Sequence, residues 1–492
     1  MNATILQSFH WYSEGNATLY DHIADTSDWL KDLGITSVWF PPAYKGSGGG
    51  FSVGYDPYDL YDLGEFDQKN TVPTKYGTKE QYLNACRILQ DKGISIIVDI
   101  VLNHKAGGDE LECFQAVMVD EHDRNRTISD IVEIESYTKF TFPGRGHKYS
   151  DFEWNFTCFS GVDYAEGKDK AIYRIINDHS ENWEDMIGNE KGNYDFLMYN
   201  DINHENPFVR AELNNWAKWY HDQIYFDGVR LDAVKHQSPK FYQEWLYTLR
   251  ANTGKNIFAV GEYWAPGLLP LMLDYIEATN GCMSLFDASL QHNFHIASKS
   301  GGEYDLRRIF DESLVSERPD LAVTVVANHD TQPLQQLESP VEPWFKPLAY
   351  ALILLRADGY PCVFYPDLYG ANYTDKGDDG GDYEIFMPKV DGIEGLLKAR
   401  KENAYGEQAD YFEDAHCLGW VRRGDGVNPG CAVVMSNKDQ YEKPMEIGIA
   451  YAGQQFYDAL GRFEHEITID ENGWGNFTVP AGNVSVWVPI KA

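Results

Sequence analysis

The chain has 492 residues, of which 43% are apolar and 24% charged, and its formal net charge is −35. These proportions are typical of soluble globular proteins and exclude a disordered or fibrous chain. Such an acidic protein repels phosphate backbones and anionic membrane surfaces, so neither nucleic acid nor a membrane is expected as a partner. This charge neither attracts nor repels a neutral polymer. The need for solubility alone also explains the charge.

The N-terminus, the longest apolar run and the cysteines together predict the compartment. Met1–Trp11 has neither the basic nor the apolar segment of a secretion signal. The apolar run Leu348–Leu355 is far shorter than the roughly 20 residues that cross a bilayer. Seven scattered cysteines, an odd number without a C-x-x-C pair, suit free thiols in a reducing environment. We expect a cytoplasmic protein, with a secreted mature form as the alternative.

Short runs rich in β-branched and aromatic residues recur eight times and predict strands. These runs are Ile5–Trp11, Ser37–Pro41, Ser95–Asn103, Gly228–Val234, Ile257–Tyr263, Ser284–Leu290, Ala322–Asn328 and Tyr360–Tyr365. Helical periodicity is found between many of them, over Asp21–Leu33, Lys79–Lys92, Val209–Gln223, Pro239–Ala251 and Pro343–Leu355. Gly34 and Gly93 are placed as left-handed caps of the first two helices. Eight alternations of strand and helix favour an α/β fold, a (β/α)8 TIM barrel.

Two regions depart from this alternation. About a hundred residues separate the third strand from the helix at Val209, too many for a short loop, so an inserted β-rich subdomain is expected. After a helix near Gly392–Asn403, short runs such as Cys431–Met435, Phe477–Pro480 and Ser485–Pro489 predict a C-terminal antiparallel β-sandwich. The predicted barrel covers residues 1–103 and 207–398, the insertion 104–206 and the C-terminal domain 399–492.

Functional groups of such barrels collect where the strands end at the C-terminal face. Four predicted strands end in polar clusters, which are Asp99-Ile-Val-Leu-Asn103-His104, Arg230-Leu-Asp232, Gly261-Glu262-Tyr-Trp264 and Asn328-His329-Asp330. Each cluster alone has a structural explanation, because Arg-x-Asp is commonly an ion pair and Asn-His-Asp a turn or cap. Four clusters on four strands are hard to explain by stability, since burying unpaired charge costs several kcal/mol.

Two carboxyl groups in these clusters are predicted to differ in protonation. Arg230 and Asp232 are two residues apart on one strand and share a face, so the guanidinium should keep Asp232 ionised and nucleophilic. Glu262 follows an apolar run and precedes Tyr263 and Trp264, surroundings that should raise its pKa and keep it protonated as a general acid. Glycoside hydrolysis uses such a pair, and a double displacement requires the two groups to be about 5 Å apart.

A hard-cation site is suggested by Asn103, Asp195 and Asp201. Carboxylate and amide oxygens without thiolate or imidazole favour calcium over zinc or iron. Because Asp and Asn are also common turn formers, a structural role is the alternative.

Aromatic residues make up 14% of the chain, and several are near strand ends, namely Trp11, Tyr12, Tyr55 and Trp264. Their flat rings suit the faces of pyranose sugars, with core packing as the alternative for each. The run Gly46-Ser-Gly-Gly-Gly50 lacks the Lys-Ser/Thr of a phosphate loop and is interpreted as a flexible loop at the barrel mouth. The chain contains neither His-Glu-x-x-His nor Gly-x-Ser-x-Gly, which excludes the common zinc protease and serine hydrolase classes.

In their order and spacing these segments resemble the signature of the α-amylase family, glycoside hydrolase family 13. The matching segments are Asp99–His104, Gly228–His236, Gly261–Trp264 and Val326–Asp330. Phe9–Tyr12, Tyr58–Phe66, Asn193–Asp195 and Trp344–Tyr350 are similar to the bacterial liquefying subgroup, and especially to the cytoplasmic enzymes of enteric bacteria. The resemblance covers essentially the whole chain.

The resemblance implies that Asp232 is the nucleophile, Glu262 the acid/base and Asp330 the carboxylate that supports the transition state. Together with Trp264 from the aromatic set, the sugar contacts it implies are Tyr55, His104, Arg230, Lys235, His236 and His329. It also implies one calcium ion, whose ligands would be Asn103, Asp195, Asp201 and the backbone carbonyl of His236.

The sequence departs from the secreted liquefying enzymes where these add a sodium and a second calcium. The matching positions are Ser160, Glu184 and Asn203, so three carboxylates are lost or changed and only one calcium is expected. Ala327 replaces the acidic residue that often precedes Asn-His-Asp, without a mechanistic consequence that we can derive.

The predicted function is endo-acting, retaining hydrolysis of internal α-1,4-glucosidic bonds in starch, glycogen or maltodextrins by a monomeric enzyme. One alternative is a maltodextrin-specific hydrolase or a transglycosylase of the same family, since fold does not determine function. The other is a non-catalytic glucan-binding protein, which predicts the loss of a key carboxylate, whereas all three are present.

Overall fold

The computed structural model describes residues 2–179 and 182–490, and its centre is a closed barrel of eight parallel strands. In chain order the barrel strands β1 to β8 are Ile5–Gln7, Ser37–Phe40, Ser95–Ile100, Gly228–Leu231, Phe258–Gly261, Ser284–Phe286, Ala322–Val325 and Tyr360–Phe364. Neighbours in the chain are neighbours around the barrel, so β1 and β5 are on opposite sides. The (β/α)8 prediction is confirmed.

Most of the strands end earlier than predicted, because the residues beyond them begin turns or helices. β6 ends at Phe286 rather than Leu290, since the carboxylate of Asp287 accepts a hydrogen bond from the backbone N–H of Leu290 at 3.0 Å and caps the next helix. β8 ends at Phe364, where a short helix with Pro366 in its first turn begins.

Helices surround the barrel and continue into the segment that follows it. They are Leu19–Asp25, Ser27–Leu33, Lys79–Asp91, Pro207–Ile224, Pro239–Thr253, Leu269–Ala278, Ala288–Lys299, Leu314–Glu317, Lys346–Leu355, Tyr365–Tyr369 and Ile393–Glu402. Gly34 caps the second of them with a φ of 90°, and Gly93 follows the third with a φ of 77°, both in the left-handed region as predicted.

Two helix predictions are wrong in detail. The single helix expected over Asp21–Leu33 is divided at Thr26, whose hydroxyl donates to the carbonyl of His22 at 2.9 Å. Such bonds from Ser or Thr to the preceding turn compete with helix continuation. The helix expected from Pro343 begins at Lys346 instead, with Pro347 in the first turn, where the missing N–H has no helical partner to lose.

The segment between β3 and the helix Pro207–Ile224 forms one six-stranded sheet, which confirms the β-rich insertion. Its strands are His104–Lys105, Glu110–Val119, Val132–Lys139, Phe159–Val162, Ile172–Ile175 and Asn200–Ile202. A hairpin of Lys45–Gly46 and Pro57–Asp59 lies beside this sheet, because the N–H of Ala106 donates to the carbonyl of Pro57 at 2.9 Å. The inserted sheet therefore stands over the C-terminal face of the barrel.

The C-terminal part contains two antiparallel sheets that share an apolar core, as the sandwich prediction requires. The six-stranded sheet consists of Gln408–Tyr411, Cys417–Arg422, Cys431–Ser436, Gln455–Asp458, Ile467–Thr468 and Asn483–Pro489, and the two-stranded sheet of Tyr441–Glu446 and Trp474–Val479. Within Cys431–Ser436, Val434 faces this core while Val433 faces the barrel, so the strand is buried on both faces.

An antiparallel ribbon of Ala371–Lys376 and Asp382–Met387 follows β8 and was not predicted. In the part of the chain that the structure describes, no helix has the length and apolar character needed to cross a membrane. All seven cysteines are free thiols, as expected.

Candidate active site

Arg230, on β4, contacts three carboxyl groups inside the barrel mouth. Its Nη1 is 2.9 Å from Oδ1 of Asp99 and 2.7 Å from Oδ1 of Asp232, and its Nη2 donates to Oε2 of Glu262. Arg230 is only 1% exposed, so these contacts are shielded from solvent. One buried cation therefore gathers carboxyl groups from β3, β4 and β5.

The register of the parallel strands produces this arrangement. Arg230 is opposite Asp99 on one neighbouring strand and opposite Val260 on the other. Beyond the strand ends, the N–H of Asp232 still donates to β3 and that of Glu262 to β4, each at 2.9 Å. The ladder bonds thus hold both side chains at the same level of the barrel.

Asp99 also belongs to the site, although the sequence motifs predicted no role for it. Its Oδ2 accepts hydrogen bonds from Nε1 of Trp39 at 3.0 Å and from the hydroxyl of Tyr55 at 2.8 Å. Burial raises its pKa to about 6, although the Arg230 guanidinium opposes the rise. A charged residue within the apolar run of β3 was the available signal, because a buried carboxylate requires partners.

Two of the predicted catalytic carboxyl groups hold their protons unusually tightly. Burial raises the pKa of Glu262 well above its ordinary value, against the lowering effect of Arg230, and the charges of Asp330 and Asp232 add to the rise. Burial also raises the pKa of Asp330 to about 7. Several carboxyl groups share one guanidinium here, so keeping a proton on Glu262 limits their mutual repulsion.

Asp330 and His329 are held by a turn after β7. Oδ1 of Asn328 accepts the N–H of Asp330 at 2.9 Å and that of Thr331 at 2.8 Å. Nε2 of His329 lies 3.3 Å from Oδ2 of Asp330, and its Nδ1 lies 3.0 Å from Nε2 of Gln7. Burial lowers the pKa of His329 far below its ordinary value, so its ring is neutral.

Three rings are nearly parallel at this end of the barrel. The Tyr55 and His329 rings are 4.9 Å apart at 11°, and the Trp11 and Tyr55 rings are 6.0 Å apart at 3°. Tyr55 thus contacts Asp99 through its hydroxyl, and the Trp11 ring stacks with the rings of Tyr55 and His329. The structure brings Tyr55 and His329 together, as expected for residues that contact one sugar.

The remaining predicted sugar contacts have different surroundings. Nε2 of His104 is 2.8 Å from the carbonyl of Tyr55, which places it beside the ring stack. Lys235 forms an ion pair of 2.6 Å with Glu190 of the insertion, and Nδ1 of His236 is 2.8 Å from the carbonyl of Tyr194. Lys235 and His236 therefore contact a loop of the insertion rather than the predicted catalytic carboxyl groups.

Trp264 lines an open cleft of about 770 Å³. The lining also includes residues of the helix after β6, of the segment after Asp330 and of the ribbon after β8, such as His292, Glu338 and Lys376. Trp264 follows Glu262 by two residues, so this cleft opens beside the predicted proton donor.

The predicted cation ligands lie where the insertion meets the barrel. Nδ2 of Asn103 donates to the carbonyl of His236 at 2.8 Å, so these two predicted donors are adjacent. Asp195 accepts the N–H of Glu184 at 2.8 Å, and Asp201 accepts the hydroxyl of Ser160. Burial, together with neighbouring carboxylates, raises the pKa of both aspartates well above the ordinary value.

Several polar atoms in this region are buried without a hydrogen-bond partner, namely Oδ1 of Asp201, Oε2 of Glu184 and Nδ2 of Asn203. Within residues 2–179 and 182–490, no three His, Cys, Asp or Glu side chains converge closely enough to hold a metal by themselves. A cation here would therefore depend on the Asn103 amide and a backbone carbonyl as well as on the two aspartates. Oxygen donors and unpartnered carboxylate atoms fit a hard cation.

Comparison with known proteins identifies the class. The family described as "Alpha amylase, catalytic domain" matches residues 13–382, and "Alpha-amylase C-terminal" matches residues 432–488. Such a barrel with paired carboxyl groups at its mouth is that of a glycoside hydrolase. The chain belongs to the α-amylase family, and the protein is an enzyme that hydrolyses internal α-1,4-glucosidic bonds of polysaccharides with retention of configuration.

Several relatives match over nearly the whole chain. A cytoplasmic α-amylase of Escherichia coli (strain K12) is 48% identical over 99% of this chain and 99% of its own. An α-amylase of Geobacillus stearothermophilus is 46% identical over 100% of this chain and 87% of its own. A glucan 1,4-α-maltohexaosidase of Bacillus sp. (strain 707) is 43% identical over 99% of this chain and 92% of its own.

Solved structures show the same architecture at low sequence identity. An Anoxybacillus α-amylase has a TM-score of 0.64 at 16% identity and covers 100% of this chain and 98% of its own. The cyclomaltodextrin glucanotransferase CldA has a TM-score of 0.64 at 18% identity and covers 100% of both chains. At these identities the likeness concerns the fold alone, which hydrolases and transferases share.

Proposed function

We propose that Asp232 is the nucleophile, Glu262 the acid/base and Asp330 the carboxylate that supports the oxocarbenium-like transition state. The observation that carries this proposal is the Arg230 guanidinium, which contacts Asp232 through one nitrogen and Glu262 through the other. Two carboxyl groups on one guanidinium are close enough for the spacing of about 5 Å that a double displacement needs. An inverting enzyme requires a wider gap to admit water.

In the first step Glu262 donates its proton to the glycosidic oxygen while Asp232 attacks the anomeric carbon. The carbon–oxygen bond to the leaving chain breaks as the covalent bond to Asp232 forms. In the second step Glu262, now a carboxylate, removes a proton from water, and the water oxygen displaces Asp232. Two inversions give an α-configured product.

The surroundings of each group support its role. Arg230 engages Oδ1 of Asp232, so the attack falls to Oδ2, while burial keeps the proton of Glu262 in place. We assign the sugar at the cleavage point to Tyr55, His104, Arg230 and His329. The neighbouring sugars are assigned to Lys235, His236 and Trp264, which stand at the insertion and the open cleft.

We also propose one calcium ion, held by Asn103, Asp195, Asp201 and the carbonyl of His236. When bound, it supplies charge compensation for the buried carboxylates and joins the insertion to the barrel. The unpartnered Oδ1 of Asp201 supports this placement. At the three positions of further cations only Glu184 offers a carboxylate, whereas Ser160 and Asn203 offer none, which supports a single site.

The finer physiological assignments are proposals too. We propose a cytoplasmic monomer that acts on starch, glycogen or maltodextrins and binds neither nucleic acid nor membranes; the charge of −35 and the cytoplasmic relative support this. We propose domain boundaries after residues 103, 206 and 398. The helix Ile393–Glu402 crosses the last of these, so a boundary after Glu402 would keep that helix whole.

The acid/base assignment is tested with Glu262→Gln. The amide cannot donate or accept the catalytic proton, so kcat should fall about 10²- to 10⁴-fold while far- and near-ultraviolet circular dichroism stay unchanged. Glu244→Gln, on the exposed side of a barrel helix, is the matched control. Near-normal turnover by Glu262→Gln would remove the assignment.

Retention and substrate class are tested in one reaction with maltooligosaccharides and soluble starch. Proton NMR during hydrolysis should show the α-anomer first, and the products should be new reducing ends rather than larger glucans. The β-anomer appearing first would refute the double displacement, and chain elongation would favour the transglycosylase alternative.

A further inference from the structure

Phe51 is the feature that the active site does not explain. Its side chain is 86% exposed, more than that of any other aromatic residue in the described part of the chain. It is the last residue of the turn Gly49–Phe51, at the tip of the hairpin that also carries Tyr55. The Phe51 ring is therefore accessible to a ligand, and burial against one would recover the free energy that exposure of the ring forgoes.

The loop around Phe51 is ordered, which corrects the expectation of a flexible glycine run. Asp56 accepts the hydroxyl of Ser47 at 2.7 Å and the N–H of Gly48 at 2.9 Å, and also accepts the hydroxyl of Ser52. Gly49 has a φ of 60°, and a Cβ there would lie 2.3 Å from the carbonyl oxygen of Lys69. These contacts therefore fix the loop on both sides of the exposed Phe51 ring.

Contacts place this tip beside the ring stack of the active site. A Cβ on Gly15 would lie 3.6 Å from the carbonyl oxygen of Gly50 and 3.8 Å from Cγ of Lys75. Lys75 in turn donates to the carbonyl of Trp11 at 3.1 Å. The tip of the hairpin therefore lies against the segment that begins with Trp11, and the ring of Trp11 stacks on that of Tyr55.

The order of the barrel strands indicates which part of the glucan lies on the side of Phe51. Trp11 comes after β1, whereas Glu262 and Trp264 come after β5, the strand opposite. The proton donor stands on the side of the leaving chain, so the side beyond Trp11 receives the part of the glucan that remains bonded to the enzyme. An aromatic face suits a pyranose ring.

We propose that Phe51 is a distal sugar-binding residue that stacks on a glucose unit of the non-reducing part of the chain, beyond the Trp11 and Tyr55 rings. This inference rests on the site proposed above. Phe51 contacts no reacting atom, so it contributes to the binding of long substrates and not to the chemical step. The ring is held ready on an ordered loop, and stacking on it therefore requires little rearrangement.

The test compares Phe51→Ala with the unaltered enzyme on a short and a long oligosaccharide, the 4-nitrophenyl α-glycosides of maltotriose and maltoheptaose. We expect kcat/KM for the heptaoside to fall about fivefold, or about 1 kcal/mol, through KM, since uniform binding is lost. The trioside should be cleaved at the unaltered rate. Phe51→Trp should keep the kcat/KM of the unaltered enzyme for the heptaoside. Phe208→Ala, which removes another exposed phenylalanine, should leave kcat/KM for both substrates unchanged.

The reducing-end label also reports the side on which Phe51 acts. Loss of a sugar contact on the non-reducing side should move cleavage toward the non-reducing end and lengthen the labelled products. Shorter labelled products, an unchanged heptaoside value, or an equal loss on both substrates would overturn the proposal. A change in mass by light scattering would assign Phe51 to an interface between copies instead. If the unaltered enzyme failed to cleave either substrate, the proposed function itself would be wrong.

Discussion

At the scale of residues, the protonation of Glu262 depends on its charged neighbours. Arg230 lowers the pKa of Glu262, while burial and the carboxylates of Asp330 and Asp232 raise it, and the raising effects prevail. Because the first step needs the protonated acid, kcat/KM should fall as the pH rises through this raised pKa. The raised pKa would thus keep the proposed acid, Glu262, protonated at a pH where an ordinary glutamate is ionised.

The substitution Asp330→Asn tests how far the neighbouring charges determine the pKa of Glu262. Removing one negative charge should lower the pKa of Glu262, so that the alkaline fall of residual activity begins at a lower pH. Carbon-13 NMR titration of labelled glutamate carboxyl groups measures the pKa directly. Asp222→Asn, at an exposed helical position, should leave it unchanged. A pKa of Glu262 that stays constant or rises in Asp330→Asn would show that the charge of Asp330 does not raise it.

At the scale of elements, the helix Lys79–Asp91 begins with a reciprocal cap. The hydroxyl of Thr78 accepts the N–H of Gln81 at 3.3 Å, and Oε1 of Gln81 accepts the N–H of Thr78 at 2.8 Å. Helix starts leave several N–H groups without partners, and this pair satisfies two of them. The helix buries Leu89 and packs against β3, and it thereby supports the strand that carries Asp99.

Thr78→Ala should therefore destabilise the protein by about 1 kcal/mol, the usual cost of an N-cap. Urea denaturation followed by circular dichroism measures the change. Thr18→Ala is the matched control, because Thr18 precedes the helix Leu19–Asp25 without a side-chain cap bond. Equal losses in the two variants would mean that capping is not the cause.

Strand positions could be predicted from the sequence because every barrel strand is a short apolar run, yet their ends could not. Ala288 and Tyr365 continue apolar runs but begin helices, and periodicity does not distinguish a strand from a helix over a few residues. The ribbon after β8 was missed although Gly377 and Gly381 close its turn with a hydrogen bond of 2.9 Å. Its strands alternate weakly, since most of their residues are exposed.

Within the site, strand-end motifs located the carboxyl groups, whereas contacts across the barrel stayed hidden. Asp99 and Trp39 belong to different strands, and only the barrel register brings them together. The fixed loop of Phe51 was mistaken for a flexible one because its stability comes from Asp56, several residues away in the chain. Sequence patterns indicate the local conformation that a segment prefers, whereas the Asp99–Trp39 contact and the fixed loop of Phe51 depend on contacts between separate segments.

At the scale of the whole molecule, the proposed calcium joins three segments, since Asn103 follows β3, Asp201 belongs to the insertion and His236 follows β4. Chelation with EDTA should lower the melting temperature, and added calcium should restore it. A calcium concentration 100-fold above Kd would stabilise the fold by about 2.7 kcal/mol.

Titration calorimetry should show one calcium per chain, and Asp201→Asn should abolish both the heat and the thermal response. Asp320→Asn, an exposed carboxylate in an ion pair with Arg318, is the control. An EDTA-treated enzyme with an unchanged melting temperature would contradict a structural calcium.

The strand Cys431–Ser436 presents Val433 to the barrel and Val434 to the sandwich core. On the barrel side, the helix Lys346–Leu355 is buried along its whole length and packs in the same cluster as Val433. A chain that stopped after Glu402 would leave a leucine-rich helix facing water and would aggregate. If C-terminal regions were exchanged between relatives, the chimaera would likewise fold only if the helix Lys346–Leu355 and the strand Cys431–Ser436 were exchanged together.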